Sequence, residues 1–357
     1  MTDRDLARSR RTPRHLRALG RLGWFGWTGL VLVVAYLLVA TVGRLHGSPT
    51  ELVELGLEPP SAEHPFGTDH LGRDLLARTA EGAWTSLWIS VTAIGFAVVA
   101  GTAVGVLAGY RHGGRLDGFL MRTVESVQAL PQFIFVMFVI GLIGTKDMHW
   151  GPVTVGNGVR VALAIGIGFV PYFARVARAA TVVEMREDYV ANLRGLGVPP
   201  REILFREVLV NVMPPVLGQA FLAMAIAVFA EGGLSFLGLG VPAPHPTLGN
   251  LVADAGGQLL GDAWWYAALP GAVLVSGILG FNLLGEAYAD RDRNHPHRPA
   301  RSGRKTDPSG AHPAAATHRA GTAMTDATGP TSTASTTGTA STTGTASRQA
   351  RQARQAR

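Results

Sequence analysis

Long apolar blocks separated by polar, turn-rich stretches set the pattern of this chain. They run from about Trp24 to Val42, Trp84 to Gly109, Phe119 to Gly144, Val161 to Ala180, Val212 to Leu239 and Ala263 to Leu284. Each comes near or exceeds roughly 20 residues, the length that crosses a hydrocarbon core of ~30 Å at about 1.5 Å per residue. Lipid offers the backbone no water, so every block is predicted to be a helix. The pattern is that of an all-α integral membrane protein with about six transmembrane helices. The first block does not read as a signal peptide. It is too long for an h-region of roughly 7–15 residues, and no A-x-A site follows closely.

The ends are a different material. Residues 1–22 are polar and basic, with Arg4, Arg8, Arg10, Arg11, Arg14, Arg17 and Arg21. From about Asp290 the chain becomes low-complexity and closes on RQA repeats. Three segments follow: a basic N-terminal segment 1–22, a membrane domain 23–289 and a tail 290–357. The tail holds too little apolar surface to offset its ordering entropy, so disorder is expected there. A solvated tail is a simpler reading than contact between its RQA repeats and anionic lipid.

Composition agrees with lipid as the solvent. Hydrophobic residues make up 47% of the chain and charged residues 16%, although both ends are polar. The net charge of +7 does not point to nucleic acid, because the Arg residues cluster at block ends and in the tail. With the N-terminus inside, the cytoplasmic segments carry Arg111, Arg115, Arg175, Arg178, Arg186, Arg194, Arg201, Arg206, Arg291 and Arg293. The opposite side carries Arg44, Arg73, Arg78, Lys146 and Arg160. An even number of spans places both termini in the cytoplasm. Without cysteine the chain can form no disulfide framework and no thiolate metal site.

The connection 181–210 is the most telling polar segment. Tyr189–Leu196 reads as a short helix, Gly197 suits the C′ position where positive φ costs least, and Pro199 and Pro200 suit the start of a second helix through Ile203, Leu204 and Val208. A simple link needs only a few residues. A segment this long is either a knob that asks for a partner or an amphipathic helix lying on the membrane. On the other side, Thr68 or Asp69 can cap a short helix, and Asp69, Arg73 and Asp74 can pair at helical spacing. The alternatives there are a self-satisfied turn and a gate or docking surface.

Within the blocks, Gly101, Gly105 and Gly109 form a stripe suited to close helix packing, and Pro131, Pro171 and Pro270 predict kinks. Arg122 and Glu125 are expected to pair or to face the interior. Glu231, near the outer end of its block with Ser235 a turn later, suits either a pathway or gate or an interfacial role. Gly233–Ser235 superficially fits a serine protease site, but no His lies inside a block to serve as base. A secondary transporter or channel would show inverted repeats and midplane charges. Neither is evident. The chain also lacks a GxxxxGK[ST] phosphate loop.

Several segments, in order, resemble permease subunits of ATP-binding-cassette importers, in the dipeptide/oligopeptide/nickel branch. Tyr189–Val190, Arg194–Gly195–Leu196–Gly197 and Asn211–Val212–Met213–Pro214–Pro215 resemble the family's coupling loop. The family's glutamate–alanine–alanine triplet falls on Ala191, Asn192 and Leu193, so its glutamate is absent and Arg194 or Glu187 is left to make the polar contact. HPFGTDHLGRDLLART (64–79), LSFLGLGVPAPHPTLGNLVADA (234–255), AWWYAALPG (263–271) and FNLLGEAYAD (281–290) resemble the branch's other signatures, and the pattern is closest to its C-type subunit. The resemblance implies a type I importer membrane domain that pairs with a homologous permease subunit in the cell membrane. It further implies cytoplasmic ATPases that bind the ATP and an extracytoplasmic solute-binding protein, with peptide-like solutes and no catalytic, cofactor or metal site in this chain. It places the ATPase contact on Tyr189, Val190, Ala191, Asn192, Leu193, Arg194, Gly197, Ile203 and Arg206, and an external signature on Gly67, Thr68, Asp69, Gly72, Arg73 and Asp74.

Overall fold

A computed structural model of the chain describes residues 23–45, 47–54, 56–144, 148–150, 153–258 and 263–293. The basic segment 1–22 lies outside these residues, as does the tail beyond Arg293. In chain order the helices are α1 (Trp24–Val42), α2 (Leu75–Tyr110), α3 (Arg115–Gln128), α4 (Gln132–Ile143), α5 (Asn157–Glu184), α6 (Asp188–Gly195), α7 (Pro200–Phe236), α8 (Leu248–Ala255) and α9 (Trp264–Arg293). A small antiparallel ladder of β1 (Met148–Trp150) and β2 (Val153–Val155), with His149 opposite Thr154, lies between α4 and α5. The apolar pattern does not announce it.

Five helices, α1, α2, α5, α7 and α9, are long and apolar enough to cross a membrane, and the bent pair α3–α4 makes a sixth if counted as one span. The third apolar block is therefore not the single helix expected over Phe119–Gly144. α3 and α4 meet at 89°. Pro131 supplies the reason: it lacks a backbone N–H and disfavours helical geometry at Leu130. At 12 residues α4 is only about 18 Å long, too short to span by itself. Pro171 and Pro270, by contrast, sit inside continuous helices.

Small residues let the helices close on one another. A Cβ on Gly101 would come within 2.6 Å of Phe173 Cβ, and one on Gly109 within 2.7 Å of Thr181 Cβ. One on Gly105 would strike the Ala174 carbonyl oxygen. The stripe thus seats α2 on α5, where dispersion and close approach replace the hydrophobic effect that lipid cannot provide. α1 turns Gly26, Gly29, Val33, Tyr36 and Ala40 inward. Gly29 meets the α9 backbone at Gly280 and Leu284, and the Tyr36 hydroxyl donates to the Ala83 carbonyl at 2.7 Å. The outward residues of α1, such as Trp24, Phe25 and Leu38, are apolar and exposed, as a lipid-facing surface requires.

On the side read as cytoplasmic, Arg178 of α5 grips Asp117 of α3 through two hydrogen bonds, Nε to Oδ1 at 2.6 Å and a terminal nitrogen to Oδ2 at 2.8 Å. The Gly113 N–H donates to the same carboxylate at 3.0 Å. This fork fixes the turn between α2 and α3 against α5. Arg122 and Glu125, expected to pair or face inward, are both exposed on α3.

Candidate functional site

The segment between α5 and α7 is held from beneath and bare above. Tyr189, at the start of α6, donates its hydroxyl to Glu184 Oε1 at 2.6 Å. The Asn211 amide of α7 donates to the same oxygen at 2.7 Å and to the Tyr189 hydroxyl at 3.2 Å. Three elements therefore share one closed polar network. Burial first, and then the bond to Glu184, push the Tyr189 phenol up to about 12, so the group remains a donor near neutral pH. Val190 is fully buried, in one apolar cluster with Ile203, Val208 and Val212. These are anchor residues.

Gly197 closes α6. At φ +78° its N–H donates to the Arg194 carbonyl at 3.0 Å, and the Val198 N–H donates to the Leu193 carbonyl at 3.1 Å. This is the Schellman arrangement, with Leu193 and Val198 both packed on the core below. The second helix of the segment is not separate, as expected, but runs on unbroken into the fifth span as α7. Its Ile203–Val208 stretch is π-helical. A wide turn at this point adjusts the helix between the polar segment and the membrane part.

The exposed face carries Ala191, Asn192, Arg194, Leu196, Gly197 and Arg206. Leu196 is 80% exposed at the tip. Arg206 bonds Glu202 at 2.6 Å within its own helix, an exposed pair of small energetic value. The candidate contact residues thus divide. Val190, Leu193, Ile203 and Tyr189 face the protein; Ala191, Asn192, Arg194, Gly197 and Arg206 face away. Sequence reasoning missed Leu196 as part of the exposed face and Glu184 as an anchor. The pairing of Glu184 with Tyr189 and Asn211 spans 27 residues, beyond the reach of local periodicity.

The external signature builds something else. No short helix forms over 68–73, and it is Asp74 that caps, accepting the Ala77 N–H of α2 at 2.7 Å while His64 Nδ1 lies 2.7 Å from its other oxygen. Asp69 is fully buried. Its carboxylate accepts the Leu71 and Arg73 N–H groups at 2.8 and 3.0 Å and the Arg73 Nε at 2.7 Å, with Arg78 Nε at 3.2 Å. Thr68 accepts the Glu58 N–H and donates to the Gly56 carbonyl, both at 2.7 Å. Gly67 and Gly72 have positive φ, and a Cβ on either would strike a carbonyl of residues 54–58. His70 reaches the Tyr266 hydroxyl of α9 at 2.8 Å.

Glu231 and Ser235 lie inside the subunit, 0% and 3% exposed, and are joined by a 2.7 Å hydrogen bond from the serine hydroxyl. Gly249 of α8 presses on Gly232 and Ser235 from outside. Both side chains are thus enclosed by the described residues of this chain.

Residues 101–293 match the family of binding-protein-dependent transport system inner membrane components, more than half of the chain. The chain belongs to this family. A permease protein of Brucella suis biovar 1 (strain 1330) is 34% identical over 73% of this chain and 85% of its own length. The di/tripeptide transport system permease protein DppC of Pseudomonas aeruginosa (strain UCBPP-PA14) is 33% identical over 66% of this chain and 73% of its own. The dipeptide transport system permease protein DppC of Bacillus subtilis (strain 168) is 32% identical over 73% and 79%. Among solved structures, a chain of the inward-facing MetNI methionine ABC transporter aligns with a TM-score of 0.46 and 20% identity over 59% of this chain and 94% of that one. Family membership makes this a multi-pass membrane protein of a transport system, working with ATPase and solute-binding partners.

Proposed function

We propose that this chain is a pore-lining permease subunit of an ATP-binding-cassette importer of di- or oligopeptides, paired in the cell membrane with a homologous permease. Both termini lie in the cytoplasm, an extracytoplasmic binding protein delivers the solute, and two cytoplasmic ATPases bind and hydrolyse ATP on its behalf. The observation that carries the reading is the build of residues 184–211: a short helix locked to two spans by Glu184, Tyr189 and Asn211, yet bare on its outer face. A lever needs both properties. Force applied at Asn192, Arg194 and Leu196 passes through Val190 and the Tyr189 network into α5 and α7 without loss in a soft joint. The relatives named for dipeptide transport support peptides as cargo.

The test is affinity capture through a tagged copy in its own cells. The expected result is co-purification of a phosphate-loop ATPase and a second multi-span chain, with ATPase capture lost in a variant carrying Asn192→Arg and Leu196→Asp that still reaches the membrane. Retention of the ATPase by that variant would overturn the coupling assignment.

A further inference from the structure

A cleft of about 520 Å³ opens where α3 breaks into α4, walled by the apolar Pro131 and Phe169 and by the polar Gln128, Gln132, Tyr172 and Arg175. Its polar groups are not used up within the chain. Gln132 Nε2 is shielded from solvent and has no hydrogen-bond partner. The Tyr172 hydroxyl donates to Gln219 Oε1 of α7, which fixes the ring at the cleft wall. Arg175 is exposed, and no carboxylate among the described residues pairs with it.

Arg178, one turn further along the same helix, is neutralised by Asp117 through a two-point fork. Arg175 stands about 14 Å from the end of α5, at nine residues from Glu184. Measured to the end of its apolar block at Ala180 it lies only about 8 Å inside, near the side read as cytoplasmic, where a guanidinium beside an apolar wall is met by water or by an anion. An unpaired cation beside free amide groups and an apolar wall is a recognition site for a small molecule with a carboxylate, amide bonds and apolar side chains. A lipid phosphate offers only acceptors, so it could meet the guanidinium and the glutamine N–H groups but not the glutamine carbonyl oxygens, which a peptide N–H can.

We propose that this cleft is a solute-contact site on the translocation path, with Arg175 receiving the carboxylate of a peptide and Gln128 and Gln132 its amide groups. The assignment rests on the peptide-importer reading and adds to it a specificity-determining residue in the permease itself.

The chain has no native cysteine, so Gln132→Cys gives this subunit a single reporter within the complete purified complex, read by mass spectrometry of the fragment that carries it. The probes are a negatively charged and a positively charged methanethiosulfonate, dialanine, and dialaninamide. The anionic reagent should react about tenfold faster than the cationic one, as a focused positive field requires. Dialanine should protect and dialaninamide should not, and Arg175→Gln should abolish both the charge preference and the protection. Absence of the charge preference overturns the proposal. So does absence of protection by dialanine, equal protection by its amide, or protection that survives Arg175→Gln. If Gln132→Cys fails to assemble, Gln128→Cys carries the same readings. Failure of the importer reading itself would show separately, as a complex that contains no ATPase.

Discussion

The loop around Asp69, read as external, and the segment around Tyr189, read as internal, are the two polar connections richest in motif residues, and they place those residues in opposite ways. In that first loop the signature's Thr68, Asp69 and Asp74 point inward. Asp69 and Thr68 are fully buried, Asp74 nearly so, and each is spent on backbone N–H groups, on a neighbouring carbonyl, or on Arg73 and His64. In the internal segment the buried side is mostly apolar and only the Glu184–Tyr189–Asn211 network is polar, while Asn192, Arg194 and Leu196 face away from the protein. A recognisable motif is therefore not by itself a contact surface. The external motif describes how a loop without regular structure satisfies its own backbone. The internal one describes how a surface is presented.

Substitutions can break or sharpen this contrast, and the largest effect belongs to the external loop. Asp69→Ala leaves Arg73 and Arg78 without their counter-charge and two N–H groups without an acceptor. Removing one partner of a buried pair costs about 3–5 kcal/mol, so the variant should show a marked fall in the unfolding midpoint in detergent and in membrane-inserted protein. An unchanged midpoint would mean that the loop is not built around this carboxylate. Next is Gly197→Val. A β-branched residue at φ +78° is strained by about 1–2 kcal/mol, and the end of α6 should loosen, seen as faster amide exchange at Val198. Tyr189→Phe removes the phenol that joins Glu184 to Asn211. The expected loss is about 1 kcal/mol, together with weaker coupling of ATP hydrolysis to uptake, because Glu184 keeps Asn211 while α6 loses its polar tie and keeps only the apolar anchor at Val190. The smallest effect is Arg206→Ala, whose exposed pair with Glu202 should contribute less than about 0.5 kcal/mol.

Much of this architecture is legible in the apolar pattern because lipid demands unbroken helices. The first apolar block coincides with α1, and four others fall almost wholly within α2, α5, α7 and α9. The third block misleads for a physical reason. Hydropathy counts residues and does not feel Pro131, which turns one apolar run into two helices at 89°. Gly197 is legible because only one residue type readily occupies a positive φ, and the Gly101–Gly105–Gly109 stripe because only one lets backbones meet so closely. The Asp117–Arg178 fork and the Glu184–Asn211 bond are not legible, since their partners lie 61 and 27 residues apart and meet only once the helices pack. Glu231 shows the converse. An isolated carboxylate in a span suggests a pathway, but Ser235 and the close approach of Gly249 enclose it within the subunit. Arg175 carries no local signal that separates it from Arg178, and only the fold shows that one of them is paired.

The central claim is that the bare face of α6 is gripped from the cytoplasm by an ATPase. Asn192→Cys, in a chain with no other cysteine, tests it directly with a membrane-impermeant maleimide. The residue should stay unlabelled in intact cells, label readily in inverted vesicles stripped of ATPase, and be shielded again when the ATPase is restored. Labelling from outside intact cells, or labelling in vesicles that the ATPase does not change, would contradict the account.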